Sequence, residues 1–194
     1  MTGGVIINGS IGMLSGLALF TLHFLEVKNK ELETYNKLMY MSYHDSLTTL
    51  HNRAYFDEVI KTLEHTNETP ITLILADLNK LKSINDTFGH DYGDLTIKKT
   101  AKCLIKHKAP ADIIIRYGGD EFVIIKPNTP YETAQLFMEK TIVPMLSKES
   151  VQKTPIHISY GIATKYTQDD ALKKVFNRAE KAMYEMKKNY HEVH

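Results

Sequence analysis

Cysteine is nearly absent from this chain of 194 residues: Cys103 is the only one, at an apolar position of a predicted helix. A lone thiol excludes an internal disulfide and suits a small core residue in a reducing compartment. Excess charge is also missing, since the formal net charge is +1. That removes any global field for nucleic acid, so no nucleic-acid partner is expected and attraction for a polyanion must be local. No internal repeat or low-complexity tract occurs. The 43% hydrophobic content suffices for one domain of ordinary size plus a short extra segment.

A further absence organises the N-terminus: residues 5–25 contain no Asp, Glu, Lys or Arg. At helical rise such a run covers about 30 Å, the thickness of a bilayer core. The expectation for residues 1–25 is a transmembrane helix, against a signal peptide without a basic start or a clear cleavage site, and against a buried helix. Lys28, Lys30 and Lys37 follow the run while nothing basic precedes it. The positive-inside rule then puts the span in the cell inner membrane with the remaining chain cytoplasmic. Gly12 and Gly16 form a weak G-x-x-x-G. Val27, Leu32, Tyr35, Met39 and Ser42 fall near helical spacing, so residues 26–42 read as a helical linker, either a solvated spacer or a short parallel coil.

The chemistry begins with what is present. Arg116-Tyr117-Gly118-Gly119-Asp120-Glu121-Phe122 sets two adjacent carboxylates on a two-glycine turn. Ile113-Ile114-Ile115 before it and Phe122-Val123-Ile124-Ile125 after it read as buried strands. Gly-Gly between such runs suits a tight hairpin whose central residues take positive φ. Acids at a hairpin tip fit a solvated loop as well as they fit catalysis, and a second acidic strand end shifts the balance. That strand is predicted over Ile71–Leu78 and contains Asp77 near its end. If the strands are neighbours, Asp77 meets Asp120 and Glu121, and carboxylates packed so closely repel unless a divalent cation lies among them. Oxygen ligands with room for phosphates favour Mg²⁺ or Mn²⁺.

Lys82 follows at a distance suited to phosphate oxygens. Residues 85–94 are polar and punctuated by Gly89 and Gly93, ahead of an amphipathic helix expected over residues 95–107. Asn and Asp side chains there either read a nucleobase edge or form turns and caps.

These residues carry a family resemblance. Asp45, Leu47, Thr48, Leu50, Asn52 and Arg53 resemble the D-x-L-T-G-L-x-N-R opening signature of GGDEF domains. Asp77 through Asp94 resembles their D-x-D-x-F-K-x-I-N-D-x-x-G-H-x-x-G-D block, and Gly118 to Phe122 repeats the name-giving motif unaltered. Ser159-Tyr160-Gly161-Ile162-Ala163 and Ala179-Glu180-Lys181-Ala182-Met183-Tyr184 match the later strand and final helix. The resemblance covers roughly residues 43–191, with residues 43–194 expected as the catalytic domain.

The resemblance implies a diguanylate cyclase, which condenses two GTP into cyclic di-GMP and releases two pyrophosphates. It implies metal ions (Mg²⁺ or Mn²⁺) held by Asp77, Asp120 and the Leu78 main-chain carbonyl, with Glu121 as a further ligand or proton acceptor. It makes Asp120, Glu121 and Lys82 the catalytic set. It gives Asn85 and Asp94 the guanine edge, the amides of Phe88, Gly89 and His90 the phosphates, and Lys187 a phosphate contact. It also implies a homodimer, because each domain loads one GTP. The fold implied is α+β, a central, mainly antiparallel sheet flanked by helices, like that of nucleotidyl cyclases and polymerase palms.

The departures matter equally. Asn79 stands for the second acid, Leu81 for a phenylalanine, Thr49 for the signature glycine, and His191 for the arginine of the final helix. An arginine is a permanently charged fork, whereas a histidine titrates near neutrality. Ala109 replaces the arginine of the R-x-x-D product site that ends at Asp112, so inhibition by product at that place is not expected. The competing reading is a GGDEF domain without turnover that regulates by binding GTP or a partner.

Overall fold

The computed structural model describes residues 3–193, with side chains described for residues 16–190 and 192. The chain divides into two compact units, Met1–Ser42 and Tyr43–His194. Helix α1, Gly3–Tyr43, makes up the first. From Leu17 to Met41 most of its large apolar side chains are exposed, among them Phe20, Leu25, Leu32, Tyr35 and Leu38. Among the described residues no helix is long and apolar enough to cross a membrane. The expected span of residues 5–25 and its G-x-x-x-G lie partly outside the described side chains, which begin at residue 16.

The second unit runs α2 (Arg53–Glu64), β1 (Ile71–Leu78), α3 (Leu81–Phe88), α4 (His90–His107), β2 (Ile113–Arg116) and β3 (Glu121–Pro127). It continues with α5 (Tyr131–Phe137), a π-helical turn (Met138–Ile142), α6 (Val143–Lys148), β4 (Ser150–Val151), β5 (Thr154–Pro155), β6 (Ile158–Lys165) and α7 (Leu172–Val193). Four strands form one sheet in the order β2-β3-β1-β6, every pair antiparallel.

Strand alternation sends successive residues to opposite faces. Ile74, Ala76, Leu78, Phe122 and Ile124 pack with Ile97, Ala101 and Leu104 of α4 and with Ala134, Met138, Ile142 and Leu146. Ile71, Leu73, Leu75, Val123 and Ile125 pack with Phe56 and Leu63 of α2 and with Leu172, Val175, Ala179 and Met183 of α7. A sheet covered on both faces needs continuous apolar strands, and all eight residues of β1 are buried. Each large aliphatic side chain so enclosed contributes about 1.5–3 kcal/mol. Gly161 sets the closeness of α7: a Cβ there would lie 2.0 Å from the Ala179 carbonyl oxygen and 2.3 Å from the Met183 nitrogen.

Two expectations need correction. Neither Gly118 nor Gly119 takes a positive φ; among the described glycines that value belongs to Gly89, at 96°. A Cβ at 118 would stand 2.5 Å from Glu121 Oε2, so a larger residue there would displace the Glu121 carboxylate. Residues 85–94 are not a loop, because α3 ends at Phe88, only Gly89 intervenes, and α4 opens at His90. Of the three amides expected at Phe88, Gly89 and His90, that of Gly89 donates to Asn85 O at 2.8 Å. Turns occupy the stretch before Arg53. Thr49 there takes φ 62°, the left-handed value that a glycine adopts without strain.

Candidate active site

Antiparallel register brings the acids together. Asp77, one residue from the end of β1, faces Glu121 at the start of β3 and Ser159 in β6. Asp77 continues the series Ile71, Leu73, Leu75 and Glu121 the series Ile125, Val123 of the α2/α7 face, so both carboxylates lie on the side of the sheet that α7 covers. Asp77 is only 4% exposed. Asp120 joins through the backbone, its carbonyl accepting from Leu78 N–H at 3.0 Å. Burial pushes the Glu121 carboxyl above its ordinary value, and the charges of Asp77 and Asp120 push it further, with Lys187 opposing.

A cation already answers part of this charge. Lys187 Nζ lies 2.7 Å from the Asp77 carboxylate. Gly161 explains the reach. It lets α7 touch β6 at Ala179 to Met183, and Ser159, the partner of Asp77, lies two strand residues further on. Two strand residues and the one helical turn from Met183 to Lys187 cover similar distances, each about 6 Å.

The α3/α4 junction forms the second part. A Cβ on Gly93 would fall 1.9 Å from Asn85 Oδ1, so the Asn85 amide is laid directly on α4 beside Asp94. Asn85 Oδ1 is buried without a hydrogen-bond partner, which leaves an acceptor for a ligand donor. Lys82 is exposed in the first turn of α3. That helix carries no side-chain cap, so its opening amides are left to an anion, a feature that sequence reasoning missed. Their signal was faint, because Lys80, at the N-cap, takes φ 60° without being glycine.

The contacts of two further residues had no signal in the sequence. Asn79 is buried, its Oδ1 accepting from Ser159 Oγ at 2.9 Å while Nδ2 has no partner. Tyr190 has its ring centroid 5.9 Å from that of His157 and 5.7 Å from Lys80 Nζ. The side chain of His191 lies outside the described residues.

Among the described residues, no three His, Cys, Asp or Glu side chains stand arranged to hold a metal ion. The donor chemistry nevertheless suits one: the set is all oxygen, Asp77 is buried, and Glu121 is destabilised by its neighbours.

With this geometry in view, the family model described as "Diguanylate cyclase, GGDEF domain" matches residues 42–192. The chain belongs to the GGDEF family. Its GGDEF domain is similar to diguanylate cyclase A of Treponema denticola, 29% identical over 93% of this chain and 47% of that protein. It is similar as well to the diguanylate cyclase DgcM of Escherichia coli K12, 31% identical over 82% of this chain and 39% of the relative. The chain thus spans under half the length of these curated relatives. Among solved structures, the coiled coil and GGDEF domain of DgcB from Caulobacter crescentus, in complex with c-di-GMP, superposes with a TM-score of 0.80 at 27% identity. The match covers 90% of this chain and 95% of that one.

Proposed function

We propose that the chain is a diguanylate cyclase that joins two GTP molecules into cyclic di-GMP and releases two pyrophosphates. The observation that carries this reading is the pairing of Asp77 with Glu121 in a domain that also lays the unsatisfied acceptor of Asn85 against Gly93. Asn85 Oδ1 and the Asp94 carboxylate accept from guanine N1–H and its exocyclic amine. Adenine lacks that donor pair and leaves the acceptors unsatisfied. The opening amides of α3 and Lys82 bind the phosphates and take up the charge that grows on the leaving pyrophosphate. Asp77, Asp120, Glu121 and the Leu78 carbonyl are the oxygens for Mg²⁺ or Mn²⁺, which when bound polarises the α-phosphate and acidifies the attacking 3′-hydroxyl. Glu121, held with a raised pKa, is placed to accept the hydroxyl proton.

One domain holds one GTP, whereas the product contains two equivalent phosphodiester bonds. Two domains must therefore meet, each 3′-oxygen aimed at the other α-phosphorus. The exposed apolar side chains of α1 support a homodimer through that helix, an arrangement compatible with the coiled coil named for DgcB. The proposal includes membrane anchoring through residues 5–25 with the domain cytoplasmic, on the strength of their missing charge and the lysines that follow.

Full-length protein incubated with GTP and Mg²⁺ should release cyclic di-GMP, read by mass spectrometry, and should lose that activity as Asp77→Ala or Asp120→Ala. Unchanged product from both variants removes the reading. A fragment of residues 43–194 should show a specific rate that rises with protein concentration. Fractionation of cells expressing the full chain should recover it with membranes. The second reading, a GTP-binding regulator without turnover, is favoured by His191 in place of an arginine. It predicts GTP binding with no product.

A further inference from the structure

We propose that Lys187 is the resident counter-ion of Asp77 and hands that carboxylate to the divalent ion only when substrate phosphate is present to receive the ammonium, so that metal and nucleotide load together. The inference rests on the reading that Asp77 holds the metal.

The Asp77 side chain is 5% exposed and that of Lys187 is 30% exposed, with 2.7 Å between their charged atoms. Its two cross-strand neighbours do not neutralise it: Glu121 in β3 is acidic and Ser159 in β6 is uncharged. A buried carboxylate without a partner is costly, so some cation has to sit here in every state of the site. The ammonium and a metal ion compete for the same oxygens. Backbone packing at Gly161 fixes where α7 lies, but four methylenes leave the ammonium free to swing while the helix stays in place. Phosphate oxygens offer it an equivalent anion once nucleotide arrives. Binding of metal and of nucleotide is then positively coupled, and the coupling is reciprocal.

Mn²⁺ binding to the full chain, followed by electron paramagnetic resonance of the free ion, tests this without turnover. Lys187→Met removes the competing charge and keeps the length. Without nucleotide it should bind Mn²⁺ about tenfold more tightly than the wild type, a usual size for such coupling. A non-hydrolysable GTP analogue should enhance Mn²⁺ affinity in the wild type and do so much less in the variant. Thermal unfolding adds a second readout: metal-free Lys187→Met should melt below the wild type, and Mn²⁺ should restore the difference. Equal or weaker Mn²⁺ binding by folded Lys187→Met overturns the proposal, as does an undiminished nucleotide effect. If Lys187→Met does not fold, Lys187→Arg serves, because the fixed fork grips the carboxylate harder and should weaken Mn²⁺ binding; tighter binding overturns the proposal. Asp77→Asn separates the two failures. If it leaves Mn²⁺ affinity unchanged, the metal is not at Asp77 and the underlying reading fails instead.

Discussion

The guanidinium of Arg116 joins Asp45 to the glycine turn, although 71 positions separate the two residues. Its Nη1 donates to both carboxylate oxygens of Asp45 at 3.0 Å, while Nε and Nη2 donate to the Gly119 carbonyl at 3.3 and 2.8 Å. Asp45 in turn accepts from the amide and hydroxyl of Thr48. The opening signature and the name-giving motif are thereby one hydrogen-bonded unit, which fixes the turn that carries Asp120 and Glu121.

Arg116→Ala should therefore cost about 2–3 kcal/mol, the value of charged hydrogen bonds in a partly buried place, and should lower activity at temperatures where the fold persists. Arg116→Lys should rescue little, because one ammonium cannot replace the fork. Burial raises the Asp45 pKa, but the bonds from Thr48 and Arg116 outweigh it and hold it below 3.8. A lowered folded value gives stability that is present above the ordinary pKa and is lost as pH falls through the folded one. The gap between wild type and Asp45→Asn in urea titrations should be full at neutral pH and shrink below about pH 4.

Glu121 behaves with the opposite sign. Its folded pKa is raised, chiefly by burial, so stability is greatest below the ordinary value of 4.5 and falls as pH rises through the folded pKa. In metal-free protein, Glu121→Gln should raise Tm at neutral pH and leave it unchanged in acid, while the rate of cyclic di-GMP formation collapses. Calorimetry across pH measures the first, and product assay the second.

Gly93→Ala should damage guanine binding more than the fold. The new methyl would enter the space of Asn85 Oδ1, the far end of a side chain that can move away. KM for GTP should rise at least tenfold, which corresponds to about 1.4 kcal/mol, with kcat less affected. Steady-state kinetics with an unchanged melting curve would verify it.

Thr49→Gly should stabilise the protein. Threonine at φ 62° pays a left-handed cost of about 1 kcal/mol that glycine avoids, offset in part by the freedom glycine gains in the unfolded chain. A rise in Tm of a few degrees is expected, and a fall would show that the Thr49 hydroxyl bond to the Thr48 carbonyl at 2.6 Å matters more.

Cyclic di-GMP should leave the initial rate unchanged. Ala109 offers no charged fork, and Asp112 is turned inward, accepting from the Ala109 amide at 2.8 Å and from the Lys126 ammonium. Asp112 is 4% exposed, and Lys126 is further enclosed against the Phe137 ring. Strong inhibition at low product concentration in a continuous pyrophosphate assay would reveal a product site elsewhere.

The acidic strand ends, the strands over Ile71–Leu78 and around Gly118-Gly119, and the family were legible in the sequence, because apolar runs and spaced motifs are local properties. The α3/α4 junction was not: Gly89 and Gly93 read as loop punctuation, whereas one breaks two helices and the other makes room for Asn85. Sequence alone determined which residues carry charge and which side-chain amides and carboxylates the strand ends and the 85–94 stretch contain. Tertiary structure decided their partners, since contacts of Lys187 with Asp77 and of Arg116 with Asp45 arise from sheet register and from helix packing on Gly161. Such pairings bring together residues far apart in the chain, and no local pattern encodes a distance that only the closed sheet and the helix lying on it can set.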